Sequence, residues 1–153
     1  MAGFTTAMPN SFKVEILRAV HNFTASTGNT FKLALGKATA SVTGTYGAGT
    51  TSYDELTANS DELANGNGYA TGGATLTSIT PVLDSSTAVC DFDNYTWTSA
   101  TFTTSGGIIY NDTASGNPAC AVLSFGGDQQ VSSGDFQIQF PAAAAATAII
   151  RIA

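Results

Sequence analysis

Between Ala88 and Pro141, short apolar runs alternate with turn signals, and this rhythm confines the chain to a β-rich fold. Ala88, Cys90 and Phe92 alternate with Val89, Asp91 and Asp93, and Phe136, Ile138 and Phe140 alternate with Gln137 and Gln139. Side chains on a strand point to opposite faces in turn, so both runs read as half-buried strands. Gly106-Gly107, Ser115-Gly116-Asn117-Pro118 and Gly126-Gly127-Asp128 break the runs where turns are expected. The expected fold is mainly β: an antiparallel β-sandwich or partly closed barrel carrying one N-terminal α-helix. Its core is expected from Phe31, Leu33, Leu35, Leu76, Cys90, Phe92, Phe102, Ile109, Leu123, Phe125, Phe136, Ile138, Phe140 and Ile150.

A chain of 153 residues is one domain in length and buries an ordinary core. Thr supplies 23 positions and only 10% of residues are charged, so the polar surface is mostly hydroxyl and amide, which favours strand over helix. The charge is uneven. Residues 1–37 carry Lys13, Arg18, Lys32 and Lys37 against Glu15, a balance of +3, whereas residues 38–153 hold ten acids against Arg151, a balance of −9. So negative a body repels nucleic-acid phosphates and anionic membrane surfaces, and neither is expected as a partner. No apolar run of about 18 residues exists, and the first residues lack the basic and apolar stretches of a signal peptide.

Along the chain, an N-terminal arm and helix (1–25) precede a β-rich body (26–153), the two forming a single domain. Asn10 or Ser11 caps a helix expected over 10–21, with Phe12, Ile16, Leu17 and Val20 on one face. Phe31, Leu33 and Leu35 mark a strand over 30–35. Residues 36–73 are rich in Gly, Thr, Ser and Asn, with Tyr46, Tyr53, Leu56, Leu63 and Tyr69 as scattered anchors, and read as a long excursion that contacts another subunit. A strand is expected over 74–79, interrupted by Pro81, and the five alanines 142–146 read as a close-approach connection before a last strand at 148–152.

Few residues offer chemistry. His21, the only histidine, is expected in a structural or solvent role near the helix end. Asp91 and Asp93, with Asp112 or Asp128, contain the oxygens for Ca²⁺ but not the spacing of a calcium loop, and they read as exposed carboxylates. The glycines around Tyr69 lack the strand, helix start and Lys of a phosphate loop. A Ser-His-Asp set has no Gly-x-Ser-x-Gly turn. No catalytic, cofactor-binding or metal-binding residue is therefore expected. Cys90 and Cys120 leave open a buried thiol pair, a disulfide across neighbouring strands or two unrelated core residues. Tyr46, Tyr53, Tyr69, Tyr95 and Trp97 beside Asn and Asp keep a carbohydrate-binding, adhesin-like module as an alternative.

Taken together, FKVEILRAVHNFT (12–24), TFKLAL (30–35), GNGYATGG (66–73), DFDNYTW (91–97), GGIIYN (106–111), AVLSFGGDQ (121–129) and GDFQIQFP (134–141) resemble, collinearly over nearly the whole chain, a family of tailed-bacteriophage virion structural proteins. Two stretches depart from that pattern: Gly36-Lys37 stands where an aromatic residue is usual, and Ser60-Asp61-Glu62-Leu63 where an Asn-Glu-Val-like segment is usual. The resemblance implies a non-enzymatic particle component without cofactor: a capsid decoration or head accessory protein, or alternatively a collar or tail accessory protein. The implied location is the virion, and the implied partners are the major capsid protein or other virion proteins together with further copies of the chain. Folding in a reducing cytosol favours free thiols at Cys90 and Cys120.

Phe4, Met8, Phe12, Lys13, Ile16, Arg18, Tyr53 and Tyr69 are the candidate interface residues. The apolar content of residues 1–23 exceeds what one helix face needs, so this segment is expected to serve assembly more than folding, and a truncation beginning at Ser26 is expected to stay folded.

Overall fold

The computed structural model describes residues 2–153. Its centre is a four-stranded sheet in the order β4-β2-β7-β8. These strands span Ala74–Leu76 (β4), Phe31–Leu35 (β2), Tyr95–Asn111 (β7) and Ala119–Ile138 (β8). A three-stranded sheet contains β5 (Ser78–Asp84), β6 (Thr87–Phe92) and β9 (Ile150–Ile152), with β6 in the middle. The remaining elements are β1 (Gly3–Phe4), α1 (Asn10–Leu17), β3 (Thr45–Tyr46) and α2 (Asp54–Ala58). The fold is mainly β with antiparallel sheets and an N-terminal helix, and the sheets do not close into a barrel.

The alternation in β2 decides how the layers stack. Phe31, Leu33 and Leu35 share one cluster with Cys90, Phe92 and Ile150 of the three-stranded sheet and with Phe12 of α1. Ala34 points the other way, into a second cluster with Val42, Tyr46, Leu56, Ile108 and Tyr110. The central sheet is thus buried on both faces, by the second sheet and α1 on one side and by residues of the 36–63 excursion on the other. The excursion folds into short pieces: a 3₁₀ turn over Thr39–Ser41, β3 and α2.

Several sequence expectations change. Val89, Cys90, Asp91 and Phe92 are all buried while Ala88 is exposed, so β6 is not half-buried with an outward Val89 and Asp91. It is the middle strand of its sheet, covered on both faces, and inward residues no longer alternate with outward ones. Gly106-Gly107 and Gly126-Gly127 do not end strands; they lie inside β7 and β8. A Cβ at Gly107 would meet the Ala34 carbonyl of β2, and the positive φ of Gly126 and Gly127, 76° and 146°, accompanies the register shift between Thr104↔Gln129 and Gly106↔Ser124. The expected strand over 74–79 divides at Thr77, where the chain passes from one sheet to the other. Pro81 lies within β5, an edge strand, at a register shift between Ile79 and Val82.

Phe102, Leu123, Phe125, Phe136, Ile138 and Phe140, expected in the core, are only half-buried and pack against its margin. Phe102, Phe125, Phe136 and Ile138 lie on the parts of β7 and β8 that β2 does not reach and Phe140 lies beyond them, while Leu123, opposite Gly107, is on the edge strand. Phe136→Ala is therefore expected to cost about 1–2 kcal/mol rather than the larger penalty of a sealed core ring, as a denaturant titration would measure.

The N-terminal segment is stitched into the body. Gly3 and Thr5 amides donate to the Gly44 and Tyr46 carbonyls (2.8 and 2.9 Å), and Ala7 exchanges two backbone bonds with Val122 (3.0 and 2.9 Å). The Phe4 ring stacks on Tyr46 with centroids 4.8 Å apart. A Cβ at Gly36 or Gly106 would overlap that ring, so Gly36 leaves the space Phe4 fills. Gly36→Ala is expected to displace Phe4 and cost about 1–3 kcal/mol, seen as a lowered unfolding midpoint. α1 is shorter than expected, ending at Leu17. Phe12 is buried and Ile16, one turn on, is half-buried, whereas Leu17, about 100° further round the helix, is exposed; the chain leaves the helix at Arg18 and Ala19 turns it with φ 56°.

Candidate interaction face

Between the end of α1 with the segment that follows it and the three-stranded sheet lies an open pocket of about 490 Å³. Ile16, Phe23, Pro81, Val89, Ile150 and Ile152 supply much of its wall. Its size falls in the range of ligand-binding clefts and its walls are mainly apolar. The large apolar side chains left in solvent stand on the elements that rim it: Leu17 (87% exposed) and Val14 (48%) on α1, Leu83 (71%) and Val82 (51%) on β5, and Ile152 (55%) on β9. Scattered exposed apolar residues are ordinary, but a cluster around a concavity marks an interaction surface.

Behind this pocket, His21 is held by a buried network. The Asn111 Oδ1 accepts the Thr113 and Ala114 amides (3.0 and 3.1 Å), which turns its Nδ2 toward His21 Nδ1 at 3.1 Å. An amide N–H can only donate, so Nδ1 accepts and Nε2 carries the proton, which it donates to Glu15 Oε2 at 2.9 Å. Cys120 Sγ lies 3.7 Å from the same Nδ1. These are the members of a thiol–imidazole–carboxylate relay, but the thiol is fully enclosed. Burial, then the charge of Glu15 and neighbouring Cys90, push its pKa well above the usual thiol value. A thiol held protonated and away from solvent is a poor nucleophile. The network ties α1 to the ends of β7 and β8. Cys90 is likewise a free, buried thiol, pushed up to about 12 mainly by burial.

Two carboxylates anchor the 36–73 excursion. Asp61 accepts the Thr43 and Gly44 amides (2.9 and 2.7 Å) and the Tyr46 hydroxyl (2.7 Å). Glu62 accepts the Tyr53 and Tyr69 hydroxyls (2.7 and 2.8 Å) and the Gly72 amide (2.7 Å). Residues 60–63 therefore supply two of the excursion's main hydrogen-bond acceptors, Asp61 and Glu62. Burial first, and for Tyr53 and Tyr69 the bonded Glu62, raise the pKa values of Tyr46, Tyr53, Tyr69 and Tyr110. A phenol whose folded pKa lies above its unfolded value contributes stability that is complete below about pH 10 and falls away as pH rises through the folded value. Unfolding midpoints followed upward from pH 9 are expected to decline above about pH 10, and Tyr69→Phe to flatten that decline.

The expected interface residues separate. Lys13 and Arg18 are exposed, Ile16 lines the pocket, and Phe4, Met8 and Tyr53 are half-buried. Phe12 and Tyr69 are buried in the chain's own core, which removes both as contacts for a neighbour. The same burial removes Tyr46, Tyr69 and Trp97 as sugar-stacking platforms. Asp91 is buried rather than exposed: burial raises its pKa against the Phe92 and Ile149 amides that donate to it. Among the described residues no group of three or more His, Cys, Asp or Glu side chains is placed to hold a metal, and no helix is long and apolar enough to cross a membrane. Sequence reading missed Val14, Leu17, Val82, Leu83 and Ile152 as exposed apolar positions; the Val82-Leu83 pair, two adjacent apolar residues following Pro81 on a short strand, was the available signal.

Comparison of the chain with protein-family models, with characterised proteins and with solved structures finds no match.

Proposed function

We propose that this chain is a non-enzymatic structural component of a tailed-bacteriophage virion, a capsid decoration or head accessory protein that binds and stabilises neighbouring particle subunits. The observation that carries the reading is the open, mainly apolar pocket between α1 and the three-stranded sheet, with exposed Leu17, Leu83 and Ile152 on the elements that rim it. Leaving them in water is unfavourable, and covering them with a partner is stabilising at about 25 cal/mol per Å² before association costs. The collinear sequence resemblance supplies the kind of partner: the major capsid protein or other virion proteins. The polar groups with chemical potential, Glu15, His21, Asp61 and Glu62, are engaged in bonds that hold the fold, which supports a mechanical role. In an ordered lattice, weak single contacts combine through high effective concentration.

The test is co-sedimentation of the purified chain with particles prepared without it. Saturable binding at a fixed ratio to the major capsid protein is expected. Absence of binding to heads and tails alike contradicts the reading, and binding to tails alone assigns the collar or tail role.

A further inference from the structure

We infer that the Asn117-Pro118 peptide bond is an autocleavage site, at which the Asn117 side chain cuts its own backbone. Asn117 closes the β7–β8 turn in the left-handed region, with φ 47°, directly before a proline. Proline pushes the residue before it towards extended backbone, so a non-glycine residue held there at positive φ stores strain. The strain is held from outside the turn, by the segment that leads into α2. The Tyr53 amide donates to the Asn117 carbonyl and the Ala119 amide to the Thr51 carbonyl, both at 3.0 Å, so the bond to Pro118 is clamped between two rungs. Asn117 Nδ2 donates to Asp54 Oδ1 at 3.1 Å. A carboxylate only accepts, so the atom facing Asp54 is the amide nitrogen and not its oxygen.

Neighbouring residues thus hold both ends of the reaction, Tyr53 the carbonyl oxygen and Asp54 the side-chain nitrogen. Nδ2 and the carbonyl carbon belong to one residue, and joining them closes a succinimide ring, so proximity is built in. Asp54 takes the Nδ2 proton as the nitrogen attacks the carbonyl carbon, and the Tyr53 N–H stabilises the charge that develops on the oxygen. The bond from that carbon to the Pro118 nitrogen then breaks, and the proton passes from Asp54 to the departing nitrogen. One product ends in a succinimide at residue 117 and the other begins with the free amine of Pro118, so the step balances without a further reactant. Water later opens the imide and makes the cut permanent. The usual competing fate of asparagine is attack of the next backbone amide on the side chain with loss of ammonia, and proline, having no N–H, closes that route. The cut falls between the two longest strands, and their pairing holds both pieces in the fold. Neither Asn117 nor Asp54 lines the apolar pocket, so the site is independent of what that face binds.

The experiment is intact-mass spectrometry of the purified full chain, sampled over weeks at neutral pH and quenched in acid, with a parallel incubation in urea. The folded chain is expected to yield a fragment ending at Asn117 whose mass is one water short of the free acid, together with the fragment from Pro118 to Ala153. The unfolded chain is expected to stay whole, because it has lost Asp54 and the Tyr53 amide. Asn117→Gly keeps the positive φ without strain and is expected to remain uncut, with unchanged circular dichroism. Asp54→Asn keeps a side chain of the same shape but no base, and is expected to cut on the order of a hundredfold more slowly. A wild type that stays whole, a fragment that carries the free acid from the first sample, or equal cutting in urea overturns the inference. Cutting that persists in Asn117→Gly, or that runs at the wild-type rate in Asp54→Asn, overturns it as well.

Discussion

A chain beginning at Ser26 is expected not to fold cooperatively. The truncation removes Phe12 and Phe23, both buried, and Phe23 stacks on Phe31 with centroids 4.2 Å apart. Each buried Phe is worth about 3–5 kcal/mol on replacement by Ala, and the loss of Phe4 from its slot over Gly36 comes on top. It also removes His21 and Glu15, leaving Asn111 and Cys120 facing an open cavity. The sum is comparable with the whole stability of an ordinary domain, about 5–15 kcal/mol. A sloping, non-cooperative denaturation curve with weak near-ultraviolet dichroism is the expected record. Phe12→Ala alone is expected to cost about 3–5 kcal/mol. A truncated chain that melts cooperatively near the full-length midpoint would return the arm to the assembly role that its sequence suggested.

Asp61→Ala is expected to cost about 3 kcal/mol, because it removes a fully buried carboxylate that accepts the Thr43 and Gly44 amides and the buried Tyr46 hydroxyl. The same carboxylate sets an acid limit. Burial alone would raise its pKa, but the bonds from Gly44, Thr43 and Tyr46 outweigh burial and hold it below the usual carboxylate value. A carboxylate with a lowered folded pKa contributes stability that is complete above the unfolded value, about 3.9, and is lost as pH falls through the folded one. The wild type is expected to lose stability below about pH 4. Asp61→Ala is expected to start lower and to fall less steeply there. Asp91, with its raised pKa, acts in the opposite sense: its ionisation opposes folding, so its contribution declines as pH rises through its folded value.

The strand content was legible because period-two alternation is a local consequence of the pleat, and Phe31, Leu33 and Leu35 show it plainly. What sequence could not convey was which faces another layer would cover. Asp91 and Val89 read as outward because they alternate with Cys90 and Phe92, yet β6 is a middle strand with both faces covered. Gly126-Gly127 read as a turn because glycine serves turns and bulges alike, and only the partner strand distinguishes them. The helix start near Asn10 was visible, although Pro9 rather than Asn10 or Ser11 takes the cap position and no side chain caps it; its end was not, since Val20 extends the apolar pattern after the backbone has already turned at Ala19. Of the expected interface positions, Ile16 lines the pocket and Lys13 and Arg18 are exposed on and just after α1. The exposed apolar positions on β5 and β9 were not foreseen: the Val82-Leu83 pair after Pro81 was the one local hint, and nothing in Ile152 says that the sheet leaves it in solvent. Tyr69 was misplaced for the converse reason: a tyrosine among glycines looks like a loop residue, and its bond to Glu62 is made only in the fold.

The most direct test of the central proposal, that this chain is a structural part of a virion, is quantitative mass spectrometry of purified particles from the phage proposed to encode it. The account predicts the chain at a constant ratio to the major capsid protein across preparations, at a multiplicity matching the capsid lattice. Its absence from particles, or a ratio that varies with purification, would contradict the claim.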